Sequence, residues 1–146
     1  MKLLVINGPN LNLLGIREPE IYGPNSYQNL VDQLKEFAQT KACVIDVLQF
    51  NSEGAIIDAI HSALAQYDGI IINPGAYTHY SYAIYDAIQA VNIPTIEVHL
   101  SNISAREPFR KTSVIAPACL GQISGLGSWS YIAAIDYFVR KDESFA

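Results

Sequence analysis

Short apolar runs rich in β-branched residues alternate along the chain with stretches in which apolar residues recur at helical spacing. Lys2 to Asn7 predicts a first strand, and Ser26 stands where it would cap a helix running to about Thr40. That helix places Leu30, Val31, Leu34, Phe37 and Ala38 on one face. Cys43 to Phe50 predicts a second strand, and Asn51 or Ser52 starts a helix whose Ile56, Ile57, Ile60 and Leu64 share a side. Gly69 to Asn73, with three consecutive isoleucines, reads as a strand buried on both faces, followed by a helix from about Ser81 to Val91. Pro94 to Leu100 predicts a fourth strand, the segment from Ser113 to Ser124 holds one or two short strands, and Ser128 to Arg140 forms the last helix. Strands alternating with helices of about ten to fifteen residues imply a parallel sheet covered on both faces. Five such units give an α/β, flavodoxin-like three-layer sandwich with a five-stranded parallel sheet. No repeat or linker interrupts the pattern, so residues 1–146 are expected to form a single domain.

The composition narrows the function classes. Half of the 146 residues are apolar, enough for a core without metal or disulfide staples. A net charge of −5 with nine thinly spread basic residues argues against nucleic acid as a partner, because phosphate binding needs clustered Lys and Arg. No membrane span or secretory leader is predicted, which makes the cytoplasm the expected location. Cys43 and Cys119 each sit in an apolar segment and read as reduced thiols packed as small hydrophobes.

In open α/β sheets ligands bind beyond the carboxyl ends of the strands. The first predicted strand ends in Asn7, Gly8, Pro9 and Asn10, and the second in Asn51, Ser52 and Glu53. The third ends in Asn73, Pro74 and Gly75, and the fourth in His99, Leu100, Ser101 and Asn102. Any one asparagine suits a turn or a cap. Four units delivering such residues to one rim suggest a polar pocket for a hydroxylated ligand. The amides of Leu100 and Ser101, directly after a strand, are placed to receive a carboxylate. Arg110 adds positive charge nearby, which points to an anionic small molecule.

Several familiar chemistries do not fit. Gly8 to Gly15 lacks the lysine and hydroxyl of a phosphate loop. Lys2, Lys35, Lys41, Lys111 and Lys141 all fall at strand starts, on polar helix faces or near ends, so none is placed for a Schiff base. With three histidines and no H-x-x-x-H, the chain offers no zinc ligand set, and neither cofactor nor metal is expected. His61 lies within a helix and reads as structural. His99 ends a strand at the rim, with Glu97 on the same face to set its tautomer, and so can give or take a proton. Tyr22 either packs its ring against the long Gly8–Gly23 loop or acts as a base. An ordinary phenol titrates near pH ~10, so a base working near pH ~7 needs its phenolate stabilised by roughly 4 kcal/mol. Two guanidinium groups suffice for that, and Arg17, with Arg110 from another loop, is available.

The loop itself, G-P-N-L-N-L-L-G-x-R-E-P-x-x-Y-G from Gly8 to Gly23, resembles the signature of type II 3-dehydroquinate dehydratases. The resemblance extends to N-P-G-A-Y-T-H at Asn73 to His79, I-E-V-H-L-S-N at Ile96 to Asn102 and A-R-E-P-F-R at Ala105 to Arg110, in the family's order and over essentially the whole chain. It implies anti elimination of water from 3-dehydroquinate to 3-dehydroshikimate through an enolate, in the shikimate or quinate pathways, without metal or imine. By that resemblance Tyr22 is the base, Arg17 stabilises its phenolate, a water held near Asn10 binds the enolate, and His99 protonates the departing hydroxyl. Asn73 with the Leu100 and Ser101 amides holds the carboxylate, while His79, Asp86 and Arg110 hold the ring hydroxyls. The loop carrying Arg17 and Tyr22 is then a lid that closes over substrate and excludes water. Enolate chemistry also asks for neutral donors near the developing oxyanion, which suits Asn10 and Asn12.

The family assembles as trimers gathered into dodecamers, with the residue matching Asp86 reaching into a neighbour's site. From the sequence itself, Tyr77, Tyr80, Tyr82 and Tyr85 crowd one segment; helix packing has use for two, an interface for all four. Ser52 and Ser104 stand where many relatives carry histidine, and Tyr80 where a smaller residue is usual. The rival readings are a flavin carrier, a receiver module, or another lyase or hydrolase acting on a hydroxy acid. The first two would want a hydroxyl-rich phosphate loop or acidic residues where this chain has asparagines.

Overall fold

The computed structural model describes residues 1–22 and 24–141. Five parallel strands, β1 (Lys2–Asn7), β2 (Val44–Gln49), β3 (Gly69–Asn73), β4 (Thr95–His99) and β5 (Gly121–Ser124), lie side by side in the order β2-β1-β3-β4-β5. The longer helices are α2 (Tyr27–Thr40), α3 (Glu53–Ser62), α4 (Tyr82–Val91) and α5 (Trp129–Arg140), with a single turn, α1 (Pro19–Tyr22), in the loop after β1. The expected flavodoxin-like three-layer arrangement is present.

The alternation of side chains along each strand decides which layer each residue joins. Leu3 and Val5 of β1, with Ile71, Ile96 and Val98, face Leu34 of α2 and Tyr131, Ile135 and Phe138 of α5. Leu4 and Ile6, with Ile70 and Ile72, face Ile56 and Ile60 of α3 and Ile84 and Ile88 of α4. Every residue of β3 and β4 is buried, and β3 accordingly reads as a continuous apolar run, whereas β4 buries Thr95, Glu97 and His99 between its apolar residues. Gly69 opens β3 because a Cβ there would lie 2.6 Å from the Phe138 ring.

Three serines start the helices as their positions imply. The Ser26, Ser52 and Ser81 hydroxyls accept from the amides of Asn29, Ala55 and Ile84 at 3.1, 3.4 and 3.1 Å. Ser52 therefore has a structural task in this chain. β2 is shorter than expected, because the Cys43 amide donates to the Ala38 carbonyl of the preceding helix end rather than joining the strand. Between Ser113 and Ser124 only Gly121–Ser124 is extended; the Ser113 hydroxyl accepts from the Ala116 amide and closes a turn, and Pro117 lies in a short 3-10 segment, Ala116–Ala118. The long loop is partly helical, with a 3-10 turn at Leu11–Leu13 and α1 starting at Pro19, whose missing N–H costs nothing at a first helical position.

The chain leaves β1 in one direction to form β2 and returns across the sheet to β3, so the loops after β1 and β3 diverge between two neighbouring strands. Asn7 and Asn73 lie opposite each other at this switch point. The cleft described below opens there. Among the described residues no helix is long and apolar enough to cross a membrane.

Candidate active site

The cleft is built from four segments. The loop after β1 contributes Pro9, Asn10, Arg17 and Tyr22; the loop after β3, Asn73, Gly75 and His79; β4 and its end, His99, Leu100 and Ser101; and the following loop, Arg106 and Arg110. Two of these loops touch closely: a Cβ on Gly8 would lie 2.5 Å from the Pro74 carbonyl carbon. Gly75, at φ +59°, occupies a left-handed conformation that favours glycine. Asn10 is also left-handed, at φ 68°, a conformation asparagine tolerates better than most residues.

Tyr22, at the end of α1, presents its hydroxyl to a guanidinium. Arg106 Nη1 donates to Tyr22 Oη at 2.8 Å and to Ser101 Oγ at 3.2 Å. The guanidinium carbons of Arg106 and Arg17 lie 5.2 and 5.3 Å from the Tyr22 ring centre. Glu18 ties the two arginines together, its Oε2 3.5 Å from Arg17 Nε and 4.0 Å from Arg106 Nη2. The second arginine at Tyr22 is thus Arg106, not the expected Arg110. Arg110 lines the cleft but its Nε contacts Glu107 at 2.5 Å. A signal for Arg106 was present in A-R-E-P-F-R, but two arginines in that motif compete and spacing does not separate them.

His99 is buried and its Nε2 lies 2.6 Å from Glu97 Oε1. Glu97 has no solvent exposure. Thr78 Oγ1 donates to Oε1 at 2.6 Å, and Ser113 Oγ lies 3.0 and 2.8 Å from the two oxygens. Burial opposes ionisation of this carboxyl, but the hydrogen bond and charge of His99 and the two hydroxyls outweigh it and hold the group below its usual range. A carboxylate there only accepts, so His99 carries its proton on Nε2 and keeps Nδ1 for exchange. His79 Nδ1 lies 2.8 Å from the Thr112 carbonyl and so carries a proton there. Burial, with the nearby charges of His99 and Arg110, pushes His79 below the ordinary histidine range despite that carbonyl.

Asn10, Arg17, Tyr22, Asn73, His79, His99, Leu100, Ser101 and Arg110 are therefore brought together. Asp86 is not: it is exposed on α4, outside the cleft of its own chain. Asn12 also lies outside. Gln49 Nε2 approaches its Oδ1 at 3.4 Å and also donates to the Gly8 carbonyl and Asn51 Oδ1, so Asn12 anchors the loop to the end of β2 instead of facing an oxyanion. Ser104 is exposed, its amide donating to Asn102 Oδ1. Tyr80 is exposed beside the cleft residue His79. Among the described residues no group of three or more His, Cys, Asp or Glu is placed to hold a metal ion. Three guanidinium groups lining one cleft in a chain of net charge −5 make a focused positive site for a small anion.

Comparison with known proteins gives this cleft a context. The family model described as Dehydroquinase class II matches residues 1–139. The chain belongs to that family. The 3-dehydroquinate dehydratase of Caldicellulosiruptor saccharolyticus is 66% identical over 135 residues, 92% of this chain and 93% of that protein. The crystal structure of type II dehydroquinase from Butyrivibrio crossotus superimposes with a TM-score of 0.93 at 55% identity, covering 96% of this chain and 97% of the other. That of the Propionibacterium acnes type II dehydroquinase gives 0.91 at 41% identity, with 94% and 95% covered. These matches span the whole architecture, so the rival fold-level readings of the sequence, flavin carrier and receiver, fall away.

Proposed function

We propose that this protein carries out the type II dehydration of 3-dehydroquinate, a step of the shikimate pathway, with Tyr22 as base and His99 as acid. The observation that carries the assignment is the Tyr22 hydroxyl accepting from Arg106 in a cleft that also holds the His99–Glu97 pair. A permanently charged donor stabilises the anionic form of the oxygen it faces. Tyr22 as phenolate removes a proton from the carbon beside the ketone, and the electron pair moves to the carbonyl oxygen as an enolate. Asn10, through a water, stabilises that oxyanion. The enolate then re-forms the ketone as the carbon–hydroxyl bond breaks, and His99 gives its Nδ1 proton to the leaving oxygen, releasing water. Transfer of the Tyr22 proton back to His99 through solvent resets both groups.

Asn73 and the Leu100 and Ser101 amides receive the substrate carboxylate, and His79 and Arg110 the ring hydroxyls. Asp86, exposed on its own chain, serves a neighbouring subunit in a homododecamer built from trimers. Residues 1–146 act as one catalytic domain in the cytoplasm. The test is an ultraviolet assay of enone formation from 3-dehydroquinate by the pure protein. Turnover that persists when borohydride is added with substrate, without a covalent adduct, supports the reading; absence of turnover, or an adduct trapped on lysine, rejects it.

A further inference from the structure

Beneath the cleft floor runs a chain of buried hydrogen bonds from Asn73 at the end of β3, through Tyr131 of α5, to Asn7 at the end of β1 and on to Tyr27 of α2. All but Tyr27 are buried. The direction of every link follows from one backbone group. The Gly75 amide can only donate, and it lies 3.2 Å from Asn73 Oδ1, which fixes the Asn73 amide with its nitrogen on the other side. Asn73 Nδ2 then donates to Tyr131 Oη at 2.8 Å. The Tyr131 hydroxyl has one proton, and it goes to Asn7 Oδ1 at 2.6 Å. Asn7 Nδ2 is left facing Tyr27 Oη at 3.4 Å. Burial raises the Tyr131 phenol well above its ordinary range, so the hydroxyl remains protonated throughout the working pH range and the chain keeps its direction.

We propose that Tyr131 is a positioning residue for substrate binding: its buried hydroxyl locks the Asn73 amide so that one Nδ2 proton is spent on Tyr131 and the other faces the cleft. The inference rests on the reading of Asn73 as a substrate contact. Without the hydroxyl, Asn73 loses the partner opposite Gly75, its amide rotates more freely, and the cleft-facing donor is no longer held in place for the bound anion. The loss applies equally to substrate and transition state, so it is read in KM and not in kcat.

Tyr131→Phe is expected to raise KM for 3-dehydroquinate roughly tenfold, the worth of one hydrogen bond to a charged group, while kcat changes less than about threefold. Tyr27→Phe breaks the far end of the same chain without touching Asn73, and is expected to leave KM within about twofold. KM in Tyr131→Phe within about twofold of the parent, while Asn73→Ala raises it, overturns the inference and leaves the role of Asn73 intact. An unchanged KM in Asn73→Ala removes Asn73 from the binding site instead. A measurement on the unaltered protein covers the case in which Tyr131→Phe does not fold. Nuclear magnetic resonance should show one Asn73 Nδ2 proton close to the Tyr131 ring and exchanging slowly with solvent; rapid exchange of both protons would overturn the inference.

Discussion

Arg106 holds the Tyr22 hydroxyl, and its own side chain is almost wholly buried, so its charge acts in a poorly screened setting. Arg106→Ala should lower kcat by roughly 10²-fold, the usual cost of removing one preorganised donor from a developing charge. Arg106→Lys should recover only part of that, because an ammonium has one nitrogen and cannot hold Tyr22 and Ser101 while a second nitrogen faces Glu18. Equal kcat in Arg106→Ala and the parent would remove Arg106 from the mechanism. Glu97 makes a prediction about stability and pH. Its folded-state value lies below the ordinary 4.5, so its contribution is complete above that value and is lost as pH falls through the folded value. His79 has the same sign, with losses beginning as pH falls below 6.5. Glu97→Gln should cost roughly 1.5 to 3 kcal/mol at neutral pH and flatten the acid limb of urea-midpoint against pH; a limb as steep as the parent's would contradict this. At this scale the sequence was partly legible. Tyr22 and His99 stand in motifs whose chemistry is readable. Arg106, Thr78 and Ser113 were not, because their roles depend on how the segments after β3 and β4 fold back to reach Tyr22 and Glu97.

The elements were more legible than the contacts between them. Apolar periodicity and the serines at positions 26, 52 and 81 located the helices, because capping and burial are local consequences of residue type. The segment from Ser113 to Ser124, expected to hold one or two short strands, holds one, Gly121–Ser124; before it the Ser113 hydroxyl and Pro117 favour turns, and Ser113 bonds to Glu97. The contact between the loops after β1 and β3 was likewise invisible in the sequence. Gly8→Ala would drive a methyl group into the backbone at Pro74, which has no flexible side chain to yield. The two rim loops would separate, carrying Asn10 and Asn73 with them. The expected result is a lower urea midpoint and kcat/KM reduced by roughly 10²-fold, since displacements of about 1 Å cost that much. Parent-like kcat/KM would show that the rim tolerates the change.

For the molecule as a whole, the exposed surface bears on assembly. Tyr77 and Tyr85 pack against the α3–α4 layer, but Tyr80 and Tyr82 stay exposed, and Asp86 lies on the outer side of the same helix. The proposed dodecamer would cover this region and bring Asp86 to a neighbour's cleft. Sedimentation velocity should therefore give a dodecamer, and Asp86→Ala should weaken kcat/KM although Asp86 does not line the described cleft of its own chain; a fully active monomer would reject the proposal. The central claim is that a phenolate in the cleft takes the carbon-bound proton, and one comparison tests it most directly: turnover and binding of 3-dehydroquinate by Tyr22→Phe and by the parent. The account predicts kcat lower by roughly 10²- to 10⁴-fold with Kd within about threefold, because the ring remains and the base is gone. A kcat within about threefold of the parent would contradict it.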